Sequence, residues 1–160
     1  MISVRPARPE EIHELAAIGL ASWKKGIMPL VPVEVASRIE KENPFVPFLK
    51  DQGGNILVAE ADGALAGIGA SEHADNYISD IWVAPEHEGK GIGTALVSAL
   101  EAQFRDRGFG EASIRVAADN LRALDLYLHL GYHETWRGFD YDPILCVTLE
   151  KVALLKFLDA

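Results

Sequence analysis

The chain has 160 residues, of which 49% are hydrophobic and 24% charged, and its formal net charge is −9 at pH 7. This length and composition are typical of a globular protein, and we expect residues 1–160 to form a single domain. The acidic balance disfavours nucleic acid and anionic membranes as partners. No apolar run reaches the roughly 20 residues of a membrane-spanning helix, and MISVRPARPEEI lacks the apolar segment of a signal peptide, which favours a cytoplasmic location.

The first third of the chain predicts one strand followed by helical and loop segments. Residues 3–7 read as a short strand, and Pro9 with two acidic residues after it opens a helix. Prolines at positions 29, 32, 44 and 47 then limit regular structure to one short helix over residues 33–41. The loop-rich segment 21–50 either shapes a substrate pocket or serves as a packed connector, and the sequence supports both interpretations equally.

Three strands are predicted in the middle of the chain. Residues 56–60 and 65–70 are apolar runs of strand length, and Asp62-Gly63 between them is typical of a tight hairpin turn. Residues 77–83 provide the third strand. An antiparallel meander therefore precedes the glycine-rich stretch that follows.

Helices and strands alternate in the second half of the chain. Apolar residues recur at helical spacing over residues 92–107, where Gly108 ends the helix, and Asn120 caps a second helix that Gly131 ends. The remaining strands are predicted at 112–117, 132–139 and 144–149. A strand, helix, strand passage beside hairpins requires a parallel crossover as well as antiparallel pairs. We therefore predict an α/β fold with a mixed, mainly antiparallel central sheet and helices on both faces.

The cysteine and histidine content indicates no metal or redox site. Cys146 is the only cysteine and lies in the apolar run ILCVTL, so we expect a buried structural thiol and no intrachain disulfide. The histidines lack the paired spacing of a zinc site, so no metal is expected. The run ILCVTL and the tail ALLKFLDA are more apolar than a free C-terminus needs, which favours a homodimer.

The most informative stretch is VAPEHEGKGIGTAL, residues 83–96, because three alternating glycines lie between a strand and a helix. Glycines let the backbone turn and approach a ligand closely, and the start of a helix offers unpaired N–H groups to an anion. A cofactor that carries a diphosphate fits such a site. The spacing G-x-G-x-G differs from the Rossmann pattern, and no G-K-[ST] follows as in a P-loop.

Two motifs in tandem resemble the central motifs of the GNAT acetyltransferase superfamily. The first is Val83-Ala84-Pro85 followed by Glu88-Gly89-Lys90-Gly91-Ile92-Gly93, and the second is Asn120, Ala123, Leu126-Tyr127 and Leu130-Gly131-Tyr132. Together they cover about residues 80–134, and the predicted order of elements agrees with the family fold. The chain departs from the family at Glu88, where Gln or Arg is usual, because an acidic side chain beside a diphosphate is repelled unless it points away.

The resemblance implies that the glycine loop binds the diphosphate of acetyl-CoA through main-chain N–H groups, while the edge of the preceding strand pairs with the pantetheine arm. Lys90 would add a charged contact, Arg122 is a candidate partner for the 3′-phosphate, and Asn120 serves either the cofactor or only the helix start. The implied cofactor-binding residues are Ile81, Trp82, Val83, Glu88, Gly89, Lys90, Gly91, Ile92, Gly93, Thr94, Asn120 and Tyr127.

Acetyl transfer to an amine needs a deprotonated acceptor, a donor to the developing oxyanion and an acid for the departing thiolate. The resemblance assigns the acid to Tyr127, whose structural alternative is packing in the core, and the oxyanion contact to the N–H group of Val83. Asp80 is the candidate base. Glu72, His73 and a water-mediated route are alternatives, because strand alternation alone does not determine which face each side chain occupies.

The resemblance therefore implies an N-acetyltransferase that moves an acetyl group from acetyl-CoA to a primary amine by direct transfer in a ternary complex. A CoA-binding module without acceptor turnover is the alternative from another class, and transfer to oxygen or of longer acyl groups is a third. The acceptor is a small-molecule or peptide amine, and residues 21–50 and 133–144 are expected to shape its pocket.

Overall fold

The computed structural model describes residues 1–159, which contain seven β-strands and five α-helices. None of these helices has both the length and the apolar surface needed to cross a membrane. The strands are β1 (Ile2–Pro6), β2 (Leu57–Ala61), β3 (Ala64–Ala70), β4 (Asp80–Val83), β5 (Glu111–Ala117), β6 (His133–Asp142) and β7 (Val147–Phe157). The helices are α1 (Ile12–Gly26), α2 (Val33–Glu42), α3 (Phe45–Gln52), α4 (Ile92–Asp106) and α5 (Leu121–His129).

The first sheet has the order β1-β2-β3-β4, and every neighbouring pair is antiparallel. The predicted hairpin is confirmed, since β2 and β3 are joined by Asp62 and Gly63 with φ angles of 51° and 84°. Val58 and Ile68 lie opposite each other and pack in a cluster with residues of α1, α2 and α3. The other face packs against α4 through Ala66, so helices cover both faces and the predicted α/β class is confirmed.

The second sheet has the order β5-β7-β6, again antiparallel throughout. The predicted last strand at 144–149 is wrong in position and length, because β7 begins at Val147 and continues to Phe157 in the middle of this sheet. Val152 and Leu154 are fully buried there. Part of the apolar C-terminal segment is thus buried within the chain, while Ile144 and Phe157 stay 61% and 71% exposed, and the homodimer remains a prediction.

The two sheets meet at one parallel bridge between Tyr77 and Ser113. Ile78 N–H donates to the carbonyl of Ser113 at 2.8 Å, and Ser113 N–H donates to Asn76 at 3.0 Å. Beyond this point β4 and β5 separate, and the first sheet ends at β4. The predicted strand over residues 77–83 is therefore shortened to Asp80–Val83, and the predicted parallel crossover is reduced to a bridge at the apex of a cleft.

Two further predictions are corrected in the loops. Pro47 lies in the first turn of α3, where a proline is tolerated because its missing N–H would have no helical partner, so residues 21–50 contain a second helix that the proline count had excluded. Cys146 is exposed in the turn before β7, with φ of 57°, and is not the buried thiol that its apolar neighbours suggested. The buried residue of that turn is Leu145.

A buried ionic network connects α4 to the second sheet. The carboxylate of Glu101, only 4% exposed, accepts a hydrogen bond from the hydroxyl of Tyr132 at 2.7 Å and one from Lys156 Nζ at 3.1 Å. A buried carboxylate is stable only when its charge and lone pairs have such partners. This network holds Tyr132 beside Tyr127, whose ring packs edge-on against it with centroids 5.7 Å apart.

Tyr132→Phe should lower the free energy of unfolding by about 1–3 kcal/mol, because a buried carboxylate loses one of its two hydrogen-bond donors and keeps only Lys156. Urea denaturation at pH 7 measures the change. Tyr141→Phe is the matched control, since that side chain is 57% exposed. Equal stability of the two variants would show that the hydrogen bond from Tyr132 to Glu101 contributes nothing to folding.

Candidate active site

The glycine loop joins β4 to α4 and leaves the start of the helix open. After the 3-10 turn Pro85–His87, Gly89 and Gly91 adopt φ of 77° and 88°, a region that residues with a Cβ rarely enter. Gly91 is the N-cap of α4 and provides no side-chain hydrogen bond to it. The N–H groups of the first turn, which have no helical acceptor, are therefore available to an anion.

Gly93 has a different role, because it lets α4 approach α5. A Cβ added at Gly93 would lie 2.9 Å from Leu126 Cδ2, closer than side-chain atoms pack. Asn120 caps α5, since its Oδ1 accepts a hydrogen bond from the N–H of Ala123 at 3.4 Å. The close contact between the helices brings α5, including Tyr127, beside the loop.

A cavity of about 720 Å³ lies between the loop, α5 and the end of α1. The open edge of β4 forms part of its wall. Ala84 N–H donates to Ala66 on β3 at 2.8 Å, and backbone direction alternates along an antiparallel strand, so the N–H group of Val83 points to the open side. The sequence-predicted cofactor residues that line this cavity are Ile81, Trp82, Val83, Glu88, Gly89, Gly91, Ile92, Gly93, Thr94, Asn120 and Tyr127.

Lys90 is the exception among the predicted cofactor residues. It is exposed, its Nζ lies 3.4 Å from His87 Nδ1, and it does not line the cavity. Arg122, the predicted phosphate partner, does line it.

A second cavity, of about 420 Å³, lies on the other side of β4 and α5. Its walls come from α1 to α3, from β5 and from the β6–β7 turn, which includes parts of the segments 21–50 and 133–144. Five residues line both cavities: Ile81, Trp82, Asn120, Ala123 and Tyr127. Tyr127 therefore lies where the two cavities meet. Its side chain is buried, with a relative exposure of 3%, and burial and the nearby Asp80 carboxylate raise its pKa far above the usual value for tyrosine.

Asp80 lies on β4 and lines only the second cavity. Its Oδ1 accepts a hydrogen bond from Trp82 Nε1 at 3.0 Å, while Oδ2 is buried and has no hydrogen-bond partner among residues 1–159. Burial raises the pKa of Asp80 to about 6, and this effect is larger than that of the hydrogen bonds, which lower the pKa. Such a carboxylate is ionised at neutral pH and holds a proton more readily than an ordinary aspartate, as a general base requires.

The other predicted base candidates are less well placed. Glu72 lines the second cavity, but its side chain is 34% exposed and its neighbour in the ion pair is His73 at 3.8 Å. His73 is 75% exposed and lines neither cavity.

Glu88 lines the larger cavity, whereas the sequence favoured a side chain that points away from an anionic ligand. Its side chain is 13% exposed, and its Oε2 atom contacts Lys25 Nζ at 2.9 Å and Arg122 Nη1 at 3.0 Å. Two cations thus neutralise the charge that departs from the family motif. Lys25 was missed by sequence reasoning, because it lies 63 positions earlier, in α1, and belongs to no motif.

The sequence and fold match known acetyltransferases. Residues 20–132 match the model of the Acetyltransferase (GNAT) family, and the chain belongs to that family. A thialysine N-epsilon-acetyltransferase from Bos taurus is 34% identical over 71 residues, 41% of this chain and 42% of the relative. A streptothricin acetyltransferase from Streptomyces lavendulae is 33% identical over 113 residues, 59% of this chain and 60% of the relative.

A solved GCN5-related N-acetyltransferase from Rhodopseudomonas palustris has a TM-score of 0.78 and 25% identity, covering 98% of this chain and 95% of that one. The chain thus has the GNAT fold over nearly its whole length. Its matches span about half of the length of the two curated relatives. No group of three potential ligands among His, Cys, Asp and Glu in residues 1–159 is arranged to hold a metal ion.

Asp80→Asn should change how stability depends on pH. The folded state holds the Asp80 proton up to about pH 6, whereas unfolded aspartate releases it near pH 4, so the free energy of unfolding of the wild type falls as pH rises through this window. The loss is on the order of 3 kcal/mol and is absent from Asp80→Asn. Denaturation at pH 4 and pH 7 measures it, with the exposed Asp106→Asn as control. Identical pH dependence in both variants would contradict the assignment.

Proposed function

We propose that this protein is an acetyl-CoA-dependent N-acetyltransferase that transfers the acetyl group directly to a primary amine in a ternary complex. The observation that carries the proposal is the meeting of the two cavities at Tyr127, with the open helix start on one side and Asp80 on the other. Direct transfer needs both substrates bound at once, with their reacting atoms at such a junction.

The residues of the larger cavity fit the cofactor. The N–H groups of Ile92, Gly93 and Thr94 at the uncapped start of α4 suit a diphosphate. The unpaired edge of β4 suits an extended amide-containing arm, which would bind as an added strand. When bound, acetyl-CoA supplies the activated acetyl group as a thioester.

Three groups of the chain then perform the chemistry. Asp80 Oδ2 accepts a proton from the ammonium group of the acceptor, which frees the nitrogen lone pair to bond to the acetyl carbon. The N–H group of Val83 donates to the carbonyl oxygen as that oxygen gains negative charge. Tyr127, which its raised pKa keeps protonated, donates its proton to the sulfur as the carbon–sulfur bond breaks and takes up the second proton that the acceptor nitrogen loses.

The acceptor proposed for the smaller cavity is a primary amine on a small basic molecule or peptide. Its lining includes Glu72, Asp80, Asp140 and Asp142, against Arg115 and Lys151 as the basic residues, and a cationic amine is attracted to this balance. The names of the two curated relatives, which refer to thialysine and streptothricin, support amines of this kind. A cytoplasmic location and a homodimer stay predictions from the sequence.

Purified protein should release CoA from acetyl-CoA in the presence of one or more basic amines, and mass spectrometry should find the acetylated product. Tyr127→Phe should lower kcat by about 100-fold or more, because the departing thiolate loses its acid, while calorimetry should find CoA binding unchanged. Tight CoA binding with every amine of the panel left unmodified would instead support a CoA-binding module without turnover.

The pH dependence of the reaction rate should also identify the general base. In the wild type kcat/KM should rise about tenfold per pH unit below about pH 6, since only ionised Asp80 accepts the proton. Asp80→Asn should be about 100-fold slower or more and should lack this limb of the profile. A variant that retains the wild-type rate and the same limb would assign the base to another group, such as Glu72 or water.

A further inference from the structure

Three charged side chains from separate parts of the chain converge in the lining of the larger cavity. Lys25 comes from the last turn of α1, Arg122 from the first turn of α5, and Glu88 from the glycine loop between β4 and α4. Both cations contact the same atom, Oε2 of Glu88, at 2.9 and 3.0 Å. We refer to Lys25, Glu88 and Arg122 as the charge cluster.

The burial of the charge cluster is uneven. Glu88 is 13% exposed, whereas Lys25 and Arg122 are 55% and 62% exposed, so the carboxylate lies inside and the cations reach it from the two sides. Arginine and lysine this exposed could each be solvated alone. Both nevertheless contact one oxygen, so an anionic group lies between two cations at this point.

We propose that Lys25 and Arg122 bind the phosphate groups of the cofactor and that Glu88 is their counter-ion in the free protein, which the phosphates displace. The inference rests on the proposed function, since it needs a phosphate-bearing cofactor in this cavity. A phosphate carries more charge than a carboxylate and matches the guanidinium fork, and the N–H groups of the α4 start lie in the same cavity. Cofactor phosphates therefore compete successfully with Glu88.

Glu88 therefore makes the affinity for the cofactor lower than Lys25 and Arg122 alone would make it. Glu88 stays beside the bound phosphates and repels them, which weakens the complex and speeds the release of product CoA. The family's usual Gln or Arg at this position has no such effect. Glu88 is thus a residue that tunes cofactor exchange.

The first test compares Glu88→Gln with Glu86→Gln by calorimetry, using CoA and pantetheine as ligands. Glu86 is exposed, lies two residues earlier in the same turn and carries the same charge. Glu88→Gln should bind CoA about fivefold more tightly at low salt, should release it more slowly, and should bind pantetheine, which has no diphosphate, as the wild type does. Glu86→Gln should stay within about twofold of the wild type for both ligands.

Unchanged or weaker CoA binding by Glu88→Gln would overturn the inference, and so would an equal gain for pantetheine. Wild-type protein that binds no CoA at all would instead remove the proposed function itself, so the two failures are distinguishable.

The second test addresses the cations. Lys25→Met should weaken CoA binding about fivefold and make it less sensitive to salt, without affecting pantetheine. Lys24→Met is the matched control, because Lys24 is the preceding residue of α1 and pairs with Glu40 at 3.2 Å instead. Equal CoA affinities of the two lysine variants would exclude Lys25 as a phosphate ligand.

Discussion

The separation of β4 from β5 is the constraint on which the rest of the structure depends. The strands are joined at Tyr77 and Ser113 and then part, so β4 keeps a backbone edge that no other strand pairs with in the described chain. Backbone N–H and C=O groups are stabilised by hydrogen bonds, so an unpaired strand edge inside a cleft is suited to an extended ligand that bonds to it. The same separation leaves room for Tyr127, whose buried side chain reaches both cavities. Without the gap the two cavities would not meet.

Local sequence signals predicted the turns and helix ends, which depend on the conformation of a few neighbouring residues. They failed for strands whose place in a sheet depends on pairing with distant parts of the chain. Asp62-Gly63 specified its hairpin because few residues adopt positive φ twice in succession, and Gly108 marked the end of α4 for a similar reason. By contrast, β7 lies between two strands from earlier in the chain, so the apolar tail looked like an unpaired surface until its neighbours were known. Cys146 and Leu145 lie in one apolar run, but the backbone turns there, so that Leu145 is buried and Cys146 is exposed.

The candidate site was predictable to the extent that it lies in one contiguous segment or one motif. The loop from Glu88 to Thr94 and Tyr127 could be located from spacing and resemblance. Which face of β4 carries Asp80 could not, because that depends on how Trp82 and the surrounding elements pack. Lys25, like the position of β7, could not be predicted because it depends on long-range packing. Its partner Glu88 is brought to it only by the docking of α1 against the sheet.

Asp80 and Glu88 both place a carboxylate in the cleft, yet their surroundings have opposite effects on the two charges. One oxygen of Asp80 has no partner, so desolvation favours its protonated form and makes it a stronger proton acceptor. Glu88 lies between two cations, so its charge is balanced in the lining of the larger cavity. In the proposed function, the acidic residues on one side of β4 attract a cationic acceptor, and the charge cluster on the other side offers two cations to a phosphate. β4 and α5 form the wall between these opposing charges.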